Sequence, residues 1–438
     1  MCCNGMDNRI SKKRIVVAGG GFAGLNFVKH IDKKLYDVTI IDRNNYHSFP
    51  PLFYQVASAG LQPDSICFPF RREVSRGKAK GSSFHIGEVK KIDASSGKVI
   101  TEYEEIDYDI LVLAMGSTNN FFGNDKLVDT VYTLKSAAQA MRCRDEILDR
   151  LERASIEKDA EKRRQMLTFT VVGGGPAGVE IAGALGEMKS YILKRNYPEL
   201  CENEVTIRLI EGSGMLLSAM GEKAHNKALQ YLAELKVAVS LNTILKNIDG
   251  ETASLGDGST LYAGMVIWTA GVKGHDVAIE GAEVTVGKGN RIVTDEYCQV
   301  PGTDDRPIYA IGDLGLMTTE GYPHGHPQLA QVAIQQGRMV ARNLSRDPAN
   351  RVKFKYRNKG SMATVGRNRA VAFIGRMCYT GFIAWLMWMG VHLLSLLGMR
   401  NKASVFIDWV WGYFTYGTSL RLLLYPARHP LAWKWGEK

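Results

Sequence analysis

The chain has 438 residues, 45% of them hydrophobic, with 45 glycines and a formal net charge of +10. That length leaves room for two or three domains with sizeable cores, and a mean hydropathy of -0.13 argues against a multi-span membrane protein. The charge is unevenly placed: residues 346–438 hold 15 Lys+Arg against 3 Asp+Glu, and the other 345 residues hold 40 against 42. No nucleic-acid motif accompanies this basic tail, so nucleic acid is not an expected partner.

In chain order, the start Met1-Cys2-Cys3-Asn4-Gly5 lacks the apolar run of a secretory signal, and Cys2-Cys3 reads as an ordinary flexible terminus. Arg14-Ile15-Val16-Val17-Ala18 predicts a strand, Gly19-Gly20-Gly21-Phe22-Ala23-Gly24 a tight turn, and the segment from Leu25 a helix. Gly19, Gly21 and Gly24 fill the G-x-G-x-x-G positions, where one glycine makes the turn, one lets a pyrophosphate approach the backbone, and one permits close helix-to-strand packing. A second apolar strand, Val38-Thr39-Ile40-Ile41, ends in Asp42, whose carboxylate can accept hydrogen bonds from a ribose.

One glycine fingerprint is weak, because glycine turns occur in ordinary loops. This one repeats. Thr168-Phe169-Thr170-Val171-Val172 leads into Gly173-Gly174-Gly175-Pro176-Ala177-Gly178-Val179-Glu180, and Val205-Thr206-Ile207-Arg208-Leu209-Ile210 ends in Glu211. The wider spacing from Gly178 to Glu211 implies a lengthened helix. Each half also carries a β-hairpin excursion, turning at Ser95-Ser96-Gly97-Lys98 and at Gly256-Asp257-Gly258, and returns on an apolar strand that ends at Gly116 or Gly271. The fold expected is α/β: two doubly wound, Rossmann-like dinucleotide-binding domains followed by a C-terminal region of amphipathic helices. The expected boundaries are residues 10–164 and 286–345 for one nucleotide domain, 165–285 for the other, and 346–438 for the tail.

Residues 135–165 are helical in composition and heavily charged, which reads as a solvated helix joining the halves. Pro307-Ile308-Tyr309-Ala310-Ile311-Gly312-Asp313 predicts another strand, with Asp313 well placed for a ribityl hydroxyl. Pro327 suits the first turn of a helix reaching Asn343, with Gly337 a tolerated interior glycine. Gln331 and Gln335, four apart, share one face of it. His324 and His326 lack a third ligand and read as loop residues, so no metal is expected. The seven cysteines form no C-x-x-C pair and read as thiols of a reducing compartment.

In the tail, residues 377–399 form a run of 23 without a charge, about 34 Å long as a helix, so length alone permits a span. The tryptophans argue otherwise. Spanning helices place tryptophan at the two interfaces, whereas Trp385 and Trp388 fall mid-run and share a helical face with His392. A pair of helices lying in the membrane interface, flanked by Arg400, Lys402, Arg428 and Lys434, accounts for the aromatics and the charge together.

With these residues in view, the chain resembles the type II NADH:quinone oxidoreductases, single-subunit flavoproteins of the two-dinucleotide-binding-domain superfamily. The resemblance covers nearly the whole chain. It rests on residues 17–24, Asp42-Arg43-Asn44-Asn45-Tyr46-His47, Pro51-Leu52-Phe53-Tyr54-Gln55-Val56-Ala57, residues 173–180, Trp268-Thr269-Ala270-Gly271-Val272, Ile311-Gly312-Asp313, residues 329–335 and Met362-Ala363-Thr364-Val365-Gly366. Met115 departs from it, standing where the family usually has Thr. The resemblance implies non-covalent FAD held by Gly19, Gly21, Phe22, Ala23, Gly24, Asp42, Arg43 and His47. It adds Val89, Ala114, Gly116, Gly312, Asp313, Leu329 and Ala330 to that set. It implies NADH as co-substrate on Gly173, Gly175, Pro176, Ala177, Gly178, Val179, Glu180 and Glu211, with Ala270 and Gly271. Glu180 sits where the family has a functionally important glutamate, and Gln331 and Gln335 border a quinone site where their amides can hydrogen-bond the carbonyls.

The implied function is hydride transfer from NADH to FAD, then electron transfer to a membrane quinone, ubiquinone or menaquinone, without proton pumping. The implied location is the cytoplasmic face of the cell inner membrane, against an anionic lipid surface, with a homodimer through the C-terminal region as a further partner. Two other readings stay open at this stage. A sulfide:quinone oxidoreductase shares such a fold and tail but uses paired cysteines at the flavin, and a nucleotide-sensing flavoprotein would use the tail as a protein interface.

Overall fold

In the computed structural model, residues 12–415 and 421–423 are described, apart from the side chains of residues 192 and 194. The Cys2-Cys3 terminus, Arg428 and Lys434 lie outside them. The chain folds as two compact units: residues 12–47, Pro69–Thr118 and Val272–Asn358 form the first; Ser48–Phe68, Asn119–Gly271 and the part of the tail from Lys359 form the second.

The first unit is built on a five-stranded parallel sheet. Its strands run in the order Ile308–Ala310, Ile110–Leu113, Lys13–Ala18, Tyr36–Asp42, Ser83–Ile86. Apolar β-branched runs such as Ile15-Val16-Val17 are buried on both faces, as a parallel sheet covered on both sides requires. The helix Phe22–His30 packs against the helix Ala330–Leu344. Gly337 is the contact point: a Cβ there would overlap the Ala23 carbonyl oxygen. The expected neutral interior glycine is therefore a close-packing residue. That helix also starts later than Pro327 suggests, with Leu329 as the residue before its first turn.

The second unit repeats the plan with the parallel order Tyr132–Thr133, Met265–Trp268, Thr168–Val172, Thr206–Ile210, Ala238–Ser240. The hairpin excursions form as expected, as Val89–Asp93 with Lys98–Thr101 in the first unit and Thr252–Leu255 with Thr260–Tyr262 in the second.

Two expectations change. The charged segment 135–165 is two helices, Ala137–Ile156 and Ala160–Met166, separated where Asp159 accepts from the backbone N–H groups of Glu161 and Lys162 at 2.9 and 3.2 Å. It is not a solvated connector: Ala140, Cys143, Ile147, Leu148 and Leu151 are buried, and Arg150 bridges Glu146 at 2.7 Å and Glu251 at 2.6 Å. The division at 164/165 also differs from that of the compact units, because Tyr132–Thr133 hydrogen-bonds beside Met265–Trp268 and carries residues 119–164 into the second unit. Residues 346–358 belong to the first, where Phe354 N–H donates to Glu296 O at 2.8 Å.

The uncharged run 377–399 opens as a strand, Met377–Thr380, which pairs with Ala370–Ile374. Two helices follow, Gly381–Ser395 and Met399–Thr415. Among the described residues no helix is long and apolar enough to cross a membrane. Trp385, Trp388 and His392 do share a face, but that face turns inward. Trp388 is 1% exposed, with its ring against Tyr54, Trp409 and His392. The outward faces carry Phe382, Ile383, Leu386, Leu394, Phe406, Trp411 and Phe414 instead, Leu394 and Phe414 at 75% and 77% exposure.

Candidate active site

The two glycine turns are near-duplicates at atomic detail. Gly19 and Gly173 adopt φ of +99° and +111°, where an L side chain is strained, and a Cβ on either would press on the backbone at Ala114 or at Ala270. A Cβ on Gly24 would overlap Gly19 O, and one on Gly178 would overlap Gly173 O, so each helix can approach its strand only with glycine there. At Gly21 and Gly175, by contrast, a Cβ would meet nothing within 4 Å. These positions face open space at the start of the helices Phe22–His30 and Pro176–Glu187, where backbone N–H groups and the helix dipole favour a pyrophosphate.

The acidic residues close the two turns in the same way. Asp42 accepts from Gly20 N–H at 2.8 Å and from Asn44 N–H at 2.8 Å. Glu211 accepts from Gly174 N–H at 2.5 Å and from Ser213 N–H at 2.7 Å. Burial raises the Asp42 pKa, while those N–H groups and nearby Arg43 pull the other way. The wider spacing in the second half comes from a helix of 12 residues against 9, prolonged by a π-helical turn at Met188–Ile192.

Around the first turn, His47 bonds to Gly20 O at 2.9 Å through Nδ1 and packs edge-on against Phe22; burial lowers its pKa to about 4, so the ring is neutral. Val89 begins the first strand of the hairpin sheet. Ala114 N–H donates to Ala18 O at 2.7 Å, and Gly116 turns at φ +73° with open space around it. Gly312 is wedged between Ala23 and Ala333, and Asp313 accepts from the Ser117 hydroxyl at 2.6 Å. Leu329 and Ala330 begin the helix that carries Gln331 and Gln335. The Gln335 amide is engaged at both ends, donating to Arg357 O at 2.9 Å and accepting from Arg357 N–H at 3.0 Å. A quinone carbonyl would have to displace that pair, so the arrangement suits a positioning role for Gln335 better than a ligand. Gln336, which sequence reading passed over, is 1% exposed and accepts from Gly312 N–H at 2.7 Å. Its neighbours at 332, 333, 337 and 340 are all buried, a helical phase that marks it as inward-facing.

Around the second turn, Pro176 opens the helix, Val179 N–H donates to Gly175 O at 3.0 Å, and Ala177 and Glu180 follow in the first two turns. Ala270 and Gly271 follow the strand Met265–Trp268, and Thr269 Oγ1 donates to Val172 O at 2.9 Å. Glu180 is buried, and that burial raises its pKa to about 8. Thr364 N–H reaches it at 3.5 Å. The Trp388 indole lies close enough to favour the carboxylate, yet its N–H makes no full hydrogen bond among the described residues. A buried carboxyl poised near neutral pH, with weak partners, can hold and release a proton.

Residues 13–337 match the pyridine nucleotide-disulphide oxidoreductase family, and residues 358–415 match the NDH2 C-terminal domain. The type II NADH:quinone oxidoreductase Ndh of Mycobacterium tuberculosis is 33% identical over 415 residues, covering 91% of this chain and 87% of that protein. The chain belongs to the type II NADH:quinone oxidoreductase family. A further member, from Staphylococcus haemolyticus, is 29% identical over 84% of this chain and 92% of that protein. The structure of NDH2 from Plasmodium falciparum in complex with NADH superposes with a TM-score of 0.85 at 21% identity, covering 92% of this chain and 99% of that one. The sulfide:quinone oxidoreductase of Aquifex aeolicus shares the fold with a TM-score of 0.70 at 19% identity, over 93% of this chain and 96% of that one. The five described cysteines of this chain are unpaired, and burial pushes the Cys67 thiol up to about 12 and those of Cys143 and Cys298 well above their usual range. Thiolate chemistry at these positions is correspondingly disfavoured.

Proposed function

We propose that this chain takes a hydride from NADH onto non-covalently bound FAD and passes the electrons to a membrane quinone, without pumping protons. The observation that carries the reading is the pair of matched glycine cradles, each closed by a carboxylate on its second glycine, in a chain of this family. The first cradle is assigned to FAD: Gly21 leaves room where the pyrophosphate would lie, Asp42 would hold a ribose, and Asp313, held by Ser117, would hold the ribityl chain. The second is assigned to NADH, with Gly175 at the pyrophosphate and Glu211 at the ribose. FAD, when bound, supplies the hydride acceptor and the electron relay. Glu180 is assigned the proton that completes a reduced quinone, Gln331 a hydrogen bond to the quinone, and Gln335 the placement of the Arg357 backbone. The deciding experiment is the absorption spectrum of purified protein. Anaerobic NADH is expected to bleach a flavin band, and added quinone to restore it. A protein without the band, or one that NADH leaves unchanged, removes the assignment.

Nucleotide preference is expected to favour NADH over NADPH, because Glu211 accepts from a 2′-hydroxyl and repels a 2′-phosphate. Glu211→Gln should narrow the kcat/KM ratio about tenfold, the equivalent of ~1.4 kcal/mol. An unaltered protein that prefers NADPH would contradict the role of Glu211.

The tail is assigned to an anionic membrane surface on the cytoplasmic side of the cell inner membrane. Its support is the exposed apolar faces of Gly381–Ser395 and Met399–Thr415, flanked by Arg400 and Lys402. Truncation is a poor test, since Trp388 and Trp409 pack on Tyr54 and Gln55. The variant Ile383→Glu/Leu394→Glu/Phe414→Glu changes only outward side chains. Each contributes roughly 1.5–3 kcal/mol of apolar burial if inserted, so binding to anionic vesicles should fall more than a hundredfold while the flavin stays bound. Unchanged vesicle binding would favour the other occupant of these faces, a second copy of the chain, detectable as a dimer by sedimentation.

A further inference from the structure

The protons for a quinol need a path to the buried Glu180, and the second unit holds a cavity close to it. Tyr54, on the helix Phe53–Ala57, lines a cavity of about 130 Å³ whose walls also include Glu187, Thr364, Arg367, Asp408 and Arg421. At ~30 Å³ per molecule that volume admits about four waters, and although Trp385, Trp388, Met389 and Trp409 make much of the wall apolar, the carboxylates of Glu187 and Asp408 and the Tyr54 hydroxyl give such waters polar partners.

The wall carries both donors and acceptors, and it reaches Glu180 through Thr364, whose N–H lies 3.5 Å from the Glu180 carboxylate. Glu180 and Glu187 lie two turns apart on the helix Pro176–Glu187 and so share a face, and the charge of each acts on the Tyr54 phenol. The Tyr54 oxygen accepts from Gln55 Nε2 at 2.8 Å, which leaves its own proton available to donate. The Tyr54 ring stands edge-on to Trp388, whose indole adjoins Glu180. Asp408, also in the wall, is partly exposed, while its Oδ2 is buried and makes no hydrogen bond among the described residues. Other charges face these groups. Arg367 N–H donates to Glu187 Oε1 at 2.5 Å with its Nε 3.8 Å from Oε2, and Arg369 adds a weaker pull. Burial, and secondarily the charge of Asp64, hold the Asp408 proton more firmly than usual.

We propose that this cavity delivers protons to Glu180: Asp408 takes a proton from solvent, cavity water carries it past Glu187 to Tyr54, and Tyr54 donates to the Glu180 carboxylate while accepting from water. Each step breaks one O–H bond and forms another, with no change in electron count. Two passages supply the two protons of a quinol. Tyr54 stays neutral throughout, because burial and the two carboxylates hold its pKa well above 10. Asp408 and Tyr54 are positioning residues for this transfer, and the inference rests on the reading of Glu180 as the proton donor.

The test uses the full FAD-loaded chain with a short-chain quinone, which consumes protons, and with ferricyanide, which does not. Tyr54→Phe is expected to lower the ratio of quinone to ferricyanide turnover at least about tenfold, to enlarge the solvent isotope effect on quinone turnover, and to be rescued in part by imidazole as a small proton donor. Asp408→Asn, on the rim, should move the same three readouts less and steepen the loss above pH 7. It keeps the relay testable if Tyr54→Phe fails to load FAD. Unaltered ratio, isotope effect and pH profile in the variants that load FAD overturn the relay. If Glu180→Gln also leaves quinone turnover intact, the failure lies with the role of Glu180; if it does not, the relay alone falls.

Discussion

Gly178→Ala is expected to abolish most NADH-dependent reduction while FAD stays bound. The added methyl would overlap Gly173 O and approach the Thr269 hydroxyl to 2.7 Å, and that hydroxyl already donates to Val172 O. The helix must therefore shift away from its strand, and the shift moves the N–H groups at Gly175 that would meet a pyrophosphate. Overpacking of this kind costs about 1–3 kcal/mol. Because the strain falls on the binding loop itself, KM for NADH should rise roughly ten- to a hundredfold. The matching change Gly24→Ala, in the other unit, should instead empty the protein of flavin. Flavin content by absorbance and KM for NADH, measured on both variants, check the pair. Loss of FAD from Gly178→Ala with normal NADH affinity would exchange the two assignments.

Glu180→Gln is expected to lower quinone turnover about a hundredfold, the lower part of the range for a positioned acid or base, and to make the folded protein more stable at neutral pH. The two effects share a cause. Burial raises the Glu180 pKa from 4.5 to about 8, so the folded protein keeps a proton that the unfolded chain has lost. Between those values the native state binds more protons than the unfolded state, and stability therefore declines as pH rises from about 4.5 to about 8. Glutamine is neutral in both states and removes that decline, a gain of up to roughly 3 kcal/mol at pH 7. The unaltered enzyme's quinone turnover should fall as pH passes about 8, and the variant should show neither that limb nor the stability slope. Thermal melts at pH 5, 7 and 9 beside steady-state rates decide it. Equal melting temperatures at all three would show that Glu180 is ionised in the folded protein.

Both glycine turns were legible in the sequence because their requirements are local. A positive φ at Gly19 and Gly173, and the overlap any Cβ at Gly24 and Gly178 would create, arise within one strand-turn-helix unit, so residue type and spacing suffice to predict them. The same holds for the hairpin turns. What lies beyond a turn was decided only in three dimensions. Gln331 and Gln335 look equivalent on a helical wheel, yet the Gln335 amide is taken up by the Arg357 backbone, and adjacent Gln336 holds Gly312. The charged composition of residues 135–165 suggests solvent, but Arg150 pairs with Glu146 and Glu251 while the same helix buries Cys143, Ile147, Leu148 and Leu151. In the tail, the sequence established two apolar, aromatic helices without saying which face points in. Trp388 and Leu394 are equally apolar in any one-dimensional pattern. Trp388 is buried because Tyr54, Trp409 and His392 pack on it, whereas Leu394, on the other face, stands 75% exposed among the described residues. Hydrophobicity specifies how much surface leaves water, and only packing partners distant in the chain determine which surface it is.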